Sequence, residues 1–333
     1  MVHETSSAEP ATTVSVALAV DIGGTKVETA LVDARGRVVV SSRKRASTGR
    51  GITVDAMRAA LHSTITDTLA ALPDDAILVG AGIGSAGPID RSAGTTAPLN
   101  MPHLQGFAVR EHVASLLPEG TRVELGLDGM CIALAEWQIG AGRGVNDLIC
   151  MVVSTGIGGG VVCGGIPVTG ADGNAGHIGQ LRVREWGRDV ASTRQTGTLE
   201  SIASGPASVA WARAQGWEGA SGEDLSRDAA AGDEIARAAI VRSAHAVGEA
   251  LAGVSALTST RLVIIGGGFS HVSLDYLDLV QSRAREVAVL PSAQHLSVIA
   301  PQLGDTAPLV GAALLVLDTT HDDIRRQGSS RHD

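Results

Sequence analysis

A chain of 333 residues with a net charge of −9, 42 glycines and only 2% aromatic side chains has room for two domains whose cores are built from Ala, Val, Leu and Ile. The acidic balance argues against a nucleic-acid surface, which needs a basic patch, and no run approaches the roughly 18 apolar residues of a membrane span. Cys131, Cys150 and Cys163 fit neither a disulfide framework nor a zinc spacing, so they read as small buried hydrophobes of a soluble, reduced, cytoplasmic protein.

Residues 1–13 are polar with no signal core and are expected to be disordered, as are residues 321–333. The apolar run that begins at Val14 ends at Asp21; Gly23 and Gly24 then turn the chain with Thr25 and Lys26, and residues 27–32 alternate like a strand leaving in the opposite sense. Such a hairpin presents backbone N–H groups, a hydroxyl and an ammonium to an anion. The dinucleotide and Walker fingerprints do not match, because both run from a strand into a helix. Turn residues at 33–36 and a third strand at 37–41 complete an antiparallel meander. Residues 53–72 have helical period, with Leu61, Ile65, Leu69 and Leu72 on one face. A buried strand at 77–83 runs into a turn at 84–88 containing Ser85, Ala86 and Gly87, at the kind of sheet edge where ligand sites collect. Residues 95–106, with Asn100, read as irregular, 107–117 as helix, 123–127 as strand and 129–140 as helix. Asp128 between the last two suits a helix N-cap.

The opening pattern then recurs. Residues 148–153 (LICMVV) form an apolar strand, 154–160 a Gly-rich turn with Ser154, Thr155, Gly156 and Gly158, and 161–163 a departing strand, which suggests two similar lobes facing one nucleotide. Residues 169–179 are too Gly-rich for a helix. Residues 199–215 and 225–256 read as helices, 262–265 as a strand ending in three glycines, and 309–317 as a last helix, an α/β pattern used twice.

With residues 21–26 (DIGGTK), 154–160 (STGIGGG) and 262–268 (LVIIGGG), in that order, the chain resembles the ROK family of sugar kinases over about residues 14–316. The resemblance implies two actin-like, ribonuclease H-like lobes around a cleft: residues 14–139 with 307–320, and residues 140–306. It assigns the ATP phosphates to Gly23, Gly24, Thr25, Lys26, Thr155, Gly156 and Gly158, and the adenosine motif to Gly267 and Gly268. Asp128 lies in a stretch similar to the one in which the family carries its catalytic base, so it is a base or merely an N-cap. Asp21 is an ordinary turn residue or, as in the family, the holder of a hydrated Mg2+.

On the sugar side the chain departs from its relatives. The family's loop Ala-Gly-Glu-Ile-Gly-His reads here Ala-Gly-His177-Ile-Gly-Gln180, and the later cysteine segment aligns through residues 197–200, leaving Ala191, Thr193 and Thr198 where cysteines fall. All four zinc ligands are replaced, so no zinc is expected. Glu200 is retained, Asn100 and the turn of Ser85, Ala86 and Gly87 resemble sugar contacts, and Leu127 stands where an Asn is usual. His177 is a ligand contact or a plain loop histidine. The expectation is an ATP-dependent kinase, dimeric by analogy, that phosphorylates a primary hydroxyl of glucose, an N-acetylhexosamine or a seven-carbon cyclitol. The family's repressors are a rival, but the twenty residues ahead of Asp21 are too few for a DNA-binding domain; Asp21 and Asp128 count against a silent sugar sensor.

Overall fold

The computed structural model describes residues 14–183 and 196–317. The two ends expected to be disordered, and Ala191 and Thr193 of the zinc comparison, lie outside the described residues.

The first half runs β1 (Val14–Ile22), β2 (Lys26–Asp33), β3 (Lys44–Ser47), α1 (Val54–Leu69), β4 (Ala76–Ser85), β5 (Ile89–Asp90), β6 (Thr95–Thr96), α2 (Val109–Ala114), β7 (Val123–Leu127) and α3 (Asp128–Gln138). The second runs β8 (Leu148–Val153), β9 (Ile157–Cys163), β10 (Ile166–Pro167), α4 (Leu199–Ala203), α5 (Gly205–Ala214), α6 (Gly222–Ala230), α7 (Glu234–Thr258), β11 (Leu262–Gly266), α8 (Tyr276–Val287), α9 (Pro291–Gln294) and β12 (Ser297–Ile299), before α10 (Ala307–Leu317) returns to the first sheet. The sheet orders are β3-β2-β1-β4-β7 and β10-β9-β8-β11-β12. In each, an antiparallel hairpin is continued by parallel strands, so the fold is α/β with two lobes of the same topology.

Burial follows the apolar patterning. Met57, Leu61 and Ile65 of α1 are fully buried in the core of the first sheet, and Thr53 caps the helix by accepting from the Ala56 N–H at 3.2 Å. On the opposite face α10 lies so close that a side chain at Gly82 would strike the Ala312 carbonyl, and one at Gly311 the Cys131 carbonyl. Cys131, on α3, fills the space above two further glycines: its Sγ lies 3.1 Å from where a Cβ of Gly84 would sit and 3.4 Å from that of Gly126. Helix α3 also packs on β8 and β9, so it stands between the lobes.

Several boundaries differ from expectation. The third strand is at Lys44–Ser47 and not at 37–41, where a lone bridge joins Val32 and Val38 and Val40–Ser42 forms a 3-10 turn. The reason is Ser42, whose buried hydroxyl accepts the Leu31 N–H at 2.8 Å and donates to the Val39 carbonyl at 2.6 Å, replacing a ladder contact. The helix expected over 199–215 breaks at Ser204, which ends α4 and caps α5 ahead of Pro206. The helix expected over 225–256 is two, capped by Ser221 and Asp233, with Gly232 between them at a φ of 96°. Helix α8 and strand β12 were not anticipated.

Candidate active site

The β1–β2 hairpin sets Asp21 opposite Glu28 across the ladder and opposite Gly84 of β4 on its other side. Its turn is closed by the Gly23 N–H donating to the Lys26 carbonyl at 2.9 Å and braced by Thr48, whose hydroxyl donates to the Gly23 carbonyl at 2.8 Å. Lys26 pairs with Glu28, as do Arg43 at 2.5 Å and Arg45 at 3.1 Å. Burial alone would raise Glu28, but the bonds from these three cations outweigh it and hold the carboxyl down to about 2. The ammonium expected to face phosphate is thus anchored within its own strand.

Asp21 is buried, and that burial, together with the charge of Asp128, pushes it up to about 7 against the pull of Lys26. Burial also pushes Asp128 up to about 6, opposed by the Gly129 N–H donating to its Oδ1 at 2.6 Å. Asp128 is the first helical residue of α3, Leu127 holds the N-cap position, and the carboxylate does not cap the helix through a second or third N–H in the usual way. Two neighbouring carboxylates, each above its ordinary range, have the chemistry that a cation or a transferred proton requires, which makes the pair a candidate site.

Around them the other predicted residues converge. A side chain at Gly24 would overlap Asn100, which puts that asparagine against the first Gly hairpin. A Cβ at Gly87 would lie 2.5 Å from Leu127 Cδ1 and 3.0 Å from His177 Nε2. The His177 Nε2 is buried without a hydrogen-bond partner among the described residues, and burial lowers its pKa against the opposing charge of Glu200. His177 is carried there because Asn174, in the same loop, bonds both backbone groups of Ile89: its Oδ1 accepts the N–H at 2.7 Å and its Nδ2 donates to the carbonyl at 2.6 Å. Gln180 ends the 3-10 turn that follows, donating its backbone N–H to the His177 carbonyl at 3.0 Å.

Glu200 is seated by a capping box between Thr198 and Ser201, and its Oε2 accepts the Ile157 N–H at 2.9 Å and lies 2.8 Å from where a Cβ of Gly156 would be. It sits beneath the second Gly turn. Ser85 and Ala86 shape the wall: the Ser85 hydroxyl shares a hydrogen bond with Thr96 at 2.9 Å, and the Ala86 N–H donates to the Ile22 carbonyl at 2.9 Å. Gly158 lies inside β9, opposite Val152, instead of in the turn.

A cavity of about 700 Å³ opens beside this turn, lined by Ser154 and Thr155, by Gly205, Pro206, Val209, Ala210 and Arg213 of α5, by Ser221 to Glu223 at the start of α6, and by Gly268, Phe269 and His271. Thr155 and Gly268 were anticipated; the α5 and α6 residues were not. Gly267 sets the turn, its φ of 96° bringing it so near β8 that a Cβ would lie 2.5 Å from the Val153 carbonyl. The missed signals were Ser204-Gly205-Pro206 and Ser221-Gly222, each of which starts a helix at the cavity.

Two lobes of one topology, with a Gly hairpin in each, a pair of raised carboxylates by the first and a cavity beside the second, fit a phosphotransferase of the actin-like class. The ROK family model matches residues 17–319. An N-acetylmannosamine kinase of Escherichia coli O157:H7 is 35% identical over 299 residues, covering 90% of this chain and 97% of that protein. A ROK hexokinase from Thermus thermophilus superposes with a TM-score of 0.77 at 28% identity, covering 92% of this chain and 99% of that one. A ROK glucokinase from Streptomyces griseus, in complex with glucose and AMPPNP, gives 0.75 at 28% identity, covering 90% and 99%. The chain belongs to the ROK family and is a carbohydrate kinase. Among the described residues no helix is long and apolar enough to cross a membrane.

Proposed function

We propose that the protein transfers the γ-phosphoryl group of ATP to the exocyclic primary hydroxyl of an N-acylated hexosamine, N-acetylmannosamine first among them, with Asp128 as the base. The observation that carries this is Asp128 itself, held at the start of α3 with its pKa pushed up to about 6 beside Asp21. It is ionised at neutral pH, yet a stronger base than an ordinary carboxylate. Asp128 orients the attacking oxygen and takes its proton as the new O–P bond forms and the bond to ADP breaks. The N–H groups of the two Gly turns, with Thr25 and Thr155, receive the phosphates, and such donors supply the main stabilisation in this reaction class. A buried carboxylate at Asp21, raised further by the charge of Asp128, fits a divalent cation, which Asp21 would hold through water. Bound there with ATP, Mg2+ neutralises charge on the phosphates.

The choice of acceptor rests on the relative of that name and on the lining of the sugar side, where a neutral imidazole at His177 and apolar Leu127 replace a carboxylate and an amide. The nucleoside-sized cavity supports ATP over polyphosphate as donor. We further assign residues 14–139 with 307–320 to the first lobe, 318–320 lying outside the described residues, and residues 140–306 to the second. No structural zinc is assigned, and metal analysis of purified protein returning stoichiometric zinc would overturn that. The function itself is tested by ADP release with Mg2+-ATP against glucose, mannose, their N-acetylated amines and seven-carbon cyclitols, with Asp128→Asn as control. Turnover greatest on N-acetylmannosamine and lost in the variant is expected; turnover on a cyclitol or free hexose alone would refute the acceptor, and sugar binding without turnover would favour a sensor.

A further inference from the structure

Glu136 lies in the last turn of α3 and is fully buried. Its carboxylate collects backbone donors from two distant segments: Oε2 accepts the Ala141 N–H at 2.9 Å and the Gln302 N–H at 3.0 Å, and Oε1 accepts the Leu303 N–H at 2.8 Å. Ala141 belongs to the connection that leaves the first lobe between α3 and β8, and Gln302 and Leu303 to the one that returns between β12 and α10. A side chain at Gly140 would collide with Oε2, so the outgoing connection is pressed directly against the carboxylate. A charged acceptor in such a place is held by its full set of N–H partners, since leaving any unmade costs more than in water.

Both chain crossings are therefore fastened to one side chain. That side chain sits on the helix whose first residue is Asp128, eight positions away and about 12 Å along the axis at 1.5 Å per residue. The same helix packs on β8 and β9 of the second lobe and on α10 of the first. We propose that Glu136 is a positioning residue, the pivot that keeps the two crossings at fixed separation while the lobes rotate, so that closure brings the nucleotide to Asp128 without displacing α3. Nucleotide binding stands apart from it, because the cavity is lined entirely by residues of the second lobe, from Ser154 to Val272.

The inference rests on the two-lobe division proposed above, and its test separates it from the choice of sugar. In Glu136→Gln the amide keeps one acceptor and turns an N–H toward an N–H. Small-angle scattering of the ligand-free full chain, which needs no acceptor, is expected to show a radius of gyration larger by about 1 Å as the crossings loosen. With acceptor, kcat is expected to fall about tenfold and the sugar KM to rise with it, while the nucleotide Kd stays within about twofold. Gly140→Ala, which dislodges the carboxylate without changing its charge, is expected to reproduce the pattern. An unchanged radius of gyration in both variants would overturn the proposal. So would a loss confined to the folded fraction with sugar KM intact, or a nucleotide Kd weakened in step with kcat, since either marks a merely structural role.

Discussion

The two hairpins occupy equivalent places in sheets of identical strand order, yet they are chemically unlike. The first carries Asp21, Lys26 and Glu28 and is tied down by ion pairs; the second carries Ser154, Thr155 and glycines, and its support is the buried Glu200 bonded to the Ile157 N–H. The shared backbone supplies close N–H donors to both. In the proposed function the side chains divide the work, with proton and cation chemistry assigned to the first lobe and the nucleoside to the cavity of the second. A duplicated scaffold therefore does not imply duplicated function: in the first lobe the last strand, β7, leads into α3 with Asp128 at its start, whereas the second lobe inserts α4 to α6 between β10 and α7.

That division is broken most severely by Asp128→Asn, for which kcat is expected to fall about 10²- to 10⁴-fold with nucleotide Kd unchanged by calorimetry. The converse lesion is Ala210→Trp on the exposed face of α5, which fills the cavity; nucleotide Kd is expected to weaken about tenfold or more, with the pH profile of kcat retained at saturation. That profile itself should fall below about pH 6 as Asp128 takes up its proton. Asn174→Ala cuts the two bonds that join the sugar loop to Ile89, and a sugar KM raised about threefold, with kcat near wild type, is the expected reading. The smallest effect is on stability. The folded protein keeps protons on Asp21 and Asp128 to about pH 7 and 6, whereas the unfolded chain releases them near pH 4, so metal-free stability falls as pH rises through that window. At pH 8 without Mg2+, Asp128→Asn is accordingly expected to raise Tm by about 2–4 °C in a calorimetric scan.

Much of this was legible in the sequence because it depends on local patterning. Strands β7 and β8 fall where apolar runs predict them, and Asp21 and Asp128 are found at the strand edges that their positions imply. What was not legible depends on partners distant in the chain. The third strand slipped because Ser42 bonds to Leu31, a contact that periodicity cannot show. The cavity lining was hidden because the helix start at Ser204 was read as a helix interior and the one at Ser221 as part of the connection between two helices. Glu136 falls inside the helix expected at 129–140, but its three donors come from residues 141, 302 and 303, and only the closed topology brings them together.

Cys131, wedged between α3 and the glycines of the first sheet, has a consequence for reagents. Burial, with the charges of Asp21 and Asp128, pushes its thiol well above the usual range, so it stays in the unreactive protonated form. An alkylating agent reaches it only when α3 lifts from the sheet, whereas the partly exposed Cys163 is open to attack at once. With the equally buried Cys150 replaced by Ala, the slow phase of thiol modification is then a clock for the opening of that helix, and a ligand that slows it is one that locks Asp128 in place.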